Sequence, residues 1–147
     1  MNLRIRRFEA EDLQSLYELL SDEGVMRYIE PTFTFEQTRA FLENSALTEK
    51  PLIYAVTDED RIFIGYVIYH DYEEDSIEIG WILSRRFWGK GIAEALTNQL
   101  IHKARTDGKS VVIECSPEQK VTKHIAEKLG FMYEGLIEGR DVYKLHQ

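Results

Sequence analysis

Two stretches of this chain carry residue types at spacings suited to chemistry. The first is residues 85–96, RRFWGKGIAEAL, where Gly89 and Gly91 stand one residue apart, Arg85, Arg86 and Lys90 lie around them, and a helix-like apolar run follows. Glycine lets a backbone come close to a ligand and aim its N–H groups at it, and the cations add charge, so the stretch suits an anion. The second is a pair of glutamates set inside otherwise apolar segments, Glu78 in SIEIGWIL and Glu114 in SVVIEC. A carboxylate in such a strand needs a partner or a wet cleft, and in a cleft it can take up or give a proton.

The two best-known nucleotide loops do not fit the glycines. A phosphate loop of the Gly-x-x-x-x-Gly-Lys-Ser/Thr form would require glycine at Ser84 and a hydroxyl at Gly91, so the magnesium-binding hydroxyl is missing. A dinucleotide fingerprint would require a third glycine at Glu94, in an early strand-helix-strand unit rather than past the middle of the chain. A nucleotide-hydrolysing enzyme is therefore not expected. What remains is Arg86-x-x-Gly89-x-Gly91 at a strand-to-helix junction, where unsatisfied N–H groups and the helix dipole favour phosphate oxygens.

The elements that must hold these residues follow from periodicity. LRIRRF reads as a strand, and Leu13, Leu16, Tyr17 and Leu20 fall at helical spacing, with Asp22–Gly24 ending that helix. Thr34 with Gln37 three residues on forms a capping-box pattern for a second helix, whose Phe41 and Leu42 would face the core. Strands are expected over 52–57, 62–70 and 76–83, joined by short polar connections that favour antiparallel hairpins. Ile92, Leu96, Leu100 and Ala104 make the apolar stripe of a long helix that Gly108 stops, followed by the strand SVVIEC. Val121, Ile125 and Leu129 would line one face of a further helix, and two strands around Glu138–Gly139 close the chain. The order β-α-α-β-β-β-α-β-α-β-β describes one α/β domain over residues 1–147, and its residue 76–115 segment is long enough for a right-handed crossover between parallel strands.

In this setting IEIGWILSRRFWGKGIAEALTNQLIHKA resembles the central acetyl-CoA motif of the GNAT N-acetyltransferases, of the form Gln/Arg-x-x-Gly-x-Gly/Ala. EIGWILSRRFWGKGIAEAL, RRFEAEDLQSLYELLSDEGVMRYI and AEKLGFMYEG are similar, more narrowly, to the RimJ/RimL-type branch. The resemblance implies a GNAT fold: a mixed, mostly antiparallel twisted sheet of about seven strands with a central β-α-β acetyl-CoA unit and flanking helices. It implies transfer of acetyl from acetyl-CoA to a primary amine, on a protein N-terminus or a small molecule, by direct attack in a ternary complex. The cofactor contacts it implies are Arg86, Gly89, Lys90, Gly91 and Ile92 at the pyrophosphate, and the main chain near Ile82 and Leu83 along the pantetheine, where one N–H can polarise the thioester carbonyl. Trp88 would cover the cofactor or fill the core beside the loop, core or mixed use being favoured.

The same resemblance places Glu78 at the acidic position of the fourth strand and Glu114 at the base position of the fifth, so Glu78 is the first choice for proton acceptor and Glu114 the second. The family's usual asparagine falls on Gln119 and the branch's serine on Thr122, both able to hydrogen-bond the cofactor, with Thr122 or a water also able to assist the thiolate. The family's acidic tyrosine falls on Ala126, leaving another tyrosine such as Tyr143 to reach in; a thiol of pKa about 8.5 needs little acid help. The Tyr28–Phe41 region forms the acceptor wall in this family, and Tyr28 and Phe33 could line a pocket or belong to the core. Ala126 and Gln119 also suit a second class, a GNAT-fold module that binds CoA for sensing or assembly with little turnover. Dimerisation is compatible with the fold.

Composition bounds the rest. A net charge of −8 repels nucleic acid and anionic membranes. The apolar runs are strand-sized and the N-terminus lacks the apolar core of a signal peptide, and Cys115, the only cysteine, allows no internal disulfide. A reducing cytoplasmic compartment is the simplest expectation. Cys115 reads as a small apolar filler, and His70, His102, His124 and His146 show no metal spacing and read as surface or element-end residues.

Overall fold

Short polar turns between β-rich segments make hairpins, and hairpins account for most of the sheet. The structure is a computed structural model that describes residues 1–146. Its strands are β1 (Arg4–Arg6), β2 (Ile53–Thr57), β3 (Phe63–Glu73), β4 (Ser76–Leu83), β5 (Ser110–Cys115), β6 (Met132–Ile137) and β7 (Arg140–Leu145). Among the described residues they form one sheet in the order β1-β2-β3-β4-β5-β7-β6. β4 and β5 are parallel, and β1–β2, β2–β3, β5–β7 and β6–β7 are antiparallel. The helices are α1 (Leu13–Leu20), α2 (Glu23–Met26), α3 (Phe35–Phe41), α4 (Ile92–Thr106) and α5 (Lys120–Lys128), and α3 continues as a widened π-type segment over Leu42–Ala46.

Most expected elements are present, with three differences. β3 runs three residues past His70, because Glu74 and Asp75 alone make the turn into β4. Asp22–Gly24 does not simply end a helix: the Asp22 carboxylate accepts the N–H groups of Gly24 and Val25 and so caps α2. Val121 is 70% exposed, and the buried face of α5 is carried by Ile125 and Ala126. The α3 capping box forms as expected, with Thr34 and Gln37 exchanging side-chain and backbone bonds. So does the α4 stripe, since Ile92, Leu96, Leu100 and Ala104 are all buried.

Two compact units can be told apart. The first contains Met1–Ile68 with Trp81–Ala93, and the second Tyr69–Gly80 with the chain from Glu94 onward. In the first, Leu16, Leu19 and Leu20 of α1 pack with Val25, Met26, Leu42, Ala55, Tyr66 and Ile82. Burying each such leucine contributes about 2 kcal/mol, which is why an eight-residue helix holds its place. In the second, Asp141 of β7 is buried and bonded to Lys123 Nζ of α5 at 3.0 Å and Tyr133 Oη of β6 at 2.8 Å. This network pins α5 and the last hairpin, and the lysine and tyrosine bonds hold the Asp141 carboxyl below the usual range.

One contact in the first unit governs how β3 lies against the strand that feeds the glycine loop. A Cβ added to Gly65 would stand 2.1 Å from the Ile82 carbonyl oxygen and 2.9 Å from Leu83 Cα. Both are backbone atoms, so neither can swing aside, and Ser84 N–H donates to Ile64 O at 2.8 Å just beyond. Gly65→Ala is expected to destabilise the fold by about 3 kcal/mol through this overlap. The check is a lower urea midpoint at an unchanged denaturant slope.

Candidate active site

The glycine loop leaves β4 through a single tight turn. Arg85–Phe87 form one 3-10 turn, with Phe87 N–H donating to Ser84 O at 2.9 Å and Trp88 N–H to Arg85 O at 3.1 Å. Phe87 is buried and anchors this end, and buried Ile92 anchors the other as the first residue of α4. Between them Trp88, Gly89, Lys90 and Gly91 are exposed. Gly89 and Gly91 have φ of +72° and +76°, a left-handed conformation in which a side chain is strained. Nothing lies within 4 Å of where either Cβ would be, so the space over both backbones is open. Open backbone in this conformation, at the start of a 15-residue helix, fits phosphate oxygens.

The basic residues divide. Arg85 is bound to Asp22, with Nη2 to Oδ1 at 2.5 Å and Nε to Oδ2 at 3.2 Å. Arg86 is exposed, lies over the Phe87 ring at 4.8 Å, and like Lys90 makes no ion pair among the described residues. Trp88 is 48% exposed rather than core, and its indole N–H donates to Leu83 O at 3.0 Å. The indole NH must be bonded wherever the ring goes, and the Leu83 carbonyl supplies the partner at the surface. Ile82 and Leu83 are buried. The parallel β4–β5 ladder runs from Ser76–Ser110 to Glu78–Val112 and stops, although β4 continues to Leu83 and β5 to Cys115.

The second unit gathers the carboxylates. Glu78 is half-buried at the last rung of that ladder, and its Oε1 lies 3.4 Å from His70 Nε2. His70 Nδ1 is 2.9 Å from the Asp71 carbonyl, which can only accept, so Nδ1 carries hydrogen and Nε2 faces Glu78. Glu114 is similarly half-buried, with Oε1 3.7 Å from Arg140 Nε. Tyr72 donates to Glu114 through its hydroxyl. Burial pushes the Glu78 carboxyl up, the nearby Glu114 adds to this, and His70 and Arg140 oppose it. Burial and the bond to Glu114 push the Tyr72 phenol up to about 12. A carboxyl raised in this way, partly reachable from solvent, has a higher proton affinity than an ordinary surface carboxylate.

His70 and Tyr72 were not among the residues singled out from the sequence. His70 is a mid-strand residue facing a carboxylate, not a surface one. The signal available was their alternate spacing on the strand that turns straight into Glu78. Tyr143 is buried, its hydroxyl donates to Glu127 at 3.4 Å, and its ring packs at a tilt against Tyr133. Gln119 precedes α5 and accepts Ser116 N–H through Oε1 at 2.8 Å, while Thr122 is half-buried on α5. Ala126 is fully buried. In the first unit Tyr28 is exposed under the Arg27 guanidinium, and Phe33 packs on the core and against Phe41. Among the described residues no group of three or more His, Cys, Asp or Glu could hold a metal ion, and no helix is long and apolar enough to cross a membrane.

Comparison with known proteins gives consistent matches along the chain. A family model for an acetyltransferase (GNAT) domain matches residues 2–132. The uncharacterized N-acetyltransferase YnaD of Bacillus subtilis is 30% identical over 141 residues, covering 92% of this chain and 82% of that protein. The crystal structure of a GNAT-family acetyltransferase from Bacillus anthracis superposes with a TM-score of 0.87 at 27% identity, over 99% of this chain and 95% of that one. A spermidine N-acetyltransferase from Vibrio cholerae, in complex with CoA and spermine, superposes with a TM-score of 0.79 over 99% of this chain and 95% of that one. At its 23% identity the likeness is one of fold.

The environment of Glu78 has a measurable sign. Because His70 works against the rise in its carboxyl, His70→Asn should move the Glu78 titration further up, and Arg140→Gln should move it the same way by less. Carbon-13 NMR of labelled glutamate would follow both. A downward move in His70→Asn would mean that the histidine does not act on Glu78 through charge.

Proposed function

Because the chain belongs to the GNAT acetyltransferase family, we propose that it transfers acetyl from acetyl-CoA to a primary amine, on a small molecule or a protein N-terminus, by direct attack. The observation that carries this reading is the loop at Gly89 and Gly91: two left-handed glycines with open space above them, beside Arg86 and Lys90, ahead of a long helix. Those residues suit a pyrophosphate, and backbone that glycine alone adopts comfortably suits its close approach. The RimJ/RimL-like branch is the narrower assignment that the same motif supports.

In this reading Arg86, Lys90 and the N–H groups from Gly89 to Ile92 hold the pyrophosphate. The main chain at Ile82 and Leu83, past the end of the β4–β5 ladder, runs beside the pantetheine, and one N–H there donates to the thioester oxygen. Trp88, exposed and tied to Leu83 O, shelters that segment from solvent. Acetyl-CoA supplies an activated acyl group and a good thiol leaving group. Glu78, with Glu114 as second choice, takes a proton from the substrate ammonium; the neutral amine then bonds to the acyl carbon, the C–S bond breaks, and the amide nitrogen's extra proton goes to the departing thiolate or to water. Gln119 and Thr122 bond the cofactor from the start of α5, Thr122 being placed also to steady the thiolate. Tyr28, exposed beside Arg27, belongs to the acceptor wall, with Phe33 supporting it from the core.

Two variants test this. Gly89→Trp should abolish CoA binding in calorimetry while the circular dichroism spectrum stays native, since the added bulk meets no protein atom within 4 Å at Cβ and the strain of its left-handed φ falls on an exposed loop outside the core. Unchanged affinity would remove the loop from the cofactor site. Glu78→Gln should lower the rate at neutral pH by about 100-fold and by less at high pH, where a growing fraction of amine is already neutral. In the native protein the rate should climb as pH rises through the raised Glu78 value and then level off. An equal loss in the variant at every pH would make Glu78 structural. If CoA binds and no amine or peptide releases its thiol, the chain is a CoA-binding module instead.

A further inference from the structure

The cations before the glycines do different work. Arg85 is held at two points by Asp22, and its guanidinium lies directly over Gly24, where a Cβ would stand 3.0 Å from Arg85 Cζ. Asp22 is itself fixed, because the oxygen that receives Arg85 Nη2 also accepts the N–H groups of Gly24 and Val25. The short helix α2 that it caps is anchored by buried Val25 and Met26. On the other side, Arg85 opens the 3-10 turn into the loop, and its carbonyl receives Trp88 N–H. Four exposed residues then follow before buried Ile92.

A segment that must aim several N–H groups at an anion binds better when it is held in shape beforehand, since any ordering on binding is subtracted from affinity. Phe87 and Ile92 fix the loop to the core, and two further side-chain contacts tie its entrance: the Trp88 indole on Leu83 O and the Asp22–Arg85 pair, of which only the second reaches an element other than β4. We propose that Asp22 is a positioning residue for the loop: through Arg85 it sets the shape in which Arg86, Gly89, Lys90 and Gly91 receive the pyrophosphate. This rests on the reading of that loop as the CoA site. The bond to Arg85 holds the Asp22 carboxyl below the usual range, so it is ionised when CoA binds.

The proposal has a sign that charge alone would reverse. Asp22 is an anion near an anion site, so a purely Coulombic effect makes its neutralisation tighten CoA binding. Positioning makes it weaken binding. Asp22→Asn is the sharpest variant, because asparagine still caps α2 but no longer forms the ion pair. Measured by calorimetry with CoA as the probe, Asp22→Asn and Arg85→Gln should each weaken binding about fivefold, the double variant should be no worse than either single one, and Arg85→Lys should fall between. The melting temperature should move by only a few degrees. Unchanged or tighter CoA binding in Asp22→Asn overturns the proposal, as does a lower melting temperature at unchanged affinity. If Asp22→Asn fails to fold, Arg85→Lys decides, because it keeps the charge and exposed Arg85 caps nothing: weaker CoA binding there supports positioning, and native affinity overturns it. Gly89→Trp is the control: native affinity there overturns the loop reading and this proposal together, whereas lost affinity there with native affinity in Arg85→Gln overturns the positioning role alone.

Discussion

A parallel ladder that ends early is the constraint on which the candidate site depends. β4 pairs with β5 from Ser76 to Glu78, and both strands then go on beyond the ladder. Backbone groups not spent on a neighbouring strand must find other partners or remain available to a ligand. Trp88 meets one such need at Leu83. Glu78 stands on the last rung and Leu83 at the strand end, so one short strand carries both the proposed proton acceptor and the proposed thioester donor. Gly65 matters for the same reason: it allows β3 to lie directly against Ile82, which keeps the far end of β4 in place.

Electrostatics separates the two halves of the chemistry. The chain is acidic overall, yet each cluster is arranged against that background. Around the glycine loop one arginine is neutralised by Asp22 while Arg86 and Lys90 make no ion pair among the described residues. In the sheet, two carboxylates are tolerated in half-buried positions because His70, Tyr72 and Arg140 supply partners. Those partners offset desolvation only in part, which is why Glu78 keeps a raised proton affinity. A fully paired carboxylate would be more stable and a poorer base.

What could be read from the sequence was local. The α4 stripe, the Thr34–Gln37 box and the Glu138–Gly139 turn depend on neighbours within a few positions, and they stand as expected. Gly89 and Gly91 were legible because a left-handed backbone leaves a chemical mark, the missing side chain. Residues whose roles depend on pairing between strands were not legible. His70 looked like an end residue because nothing nearby in sequence marks it as the partner of Glu78. Asp22–Gly24 read as a stop because the residues that end one helix are the ones that cap the next. Val121 was misjudged from hydrophobicity, which says what burial would contribute and not whether the fold has room.

Cys115 has a practical consequence of its own. It is the chain's only cysteine, it is 1% exposed, and burial pushes its thiol up to about 11. Thiolate is the reactive form, so the folded protein presents almost no nucleophilic sulfur to a thiol-directed dye. Free coenzyme A released into solution carries an accessible thiol. In the proposed acetyl transfer, a chromogenic thiol reagent would therefore read released coenzyme A against a nearly silent protein, continuously and across many candidate amines.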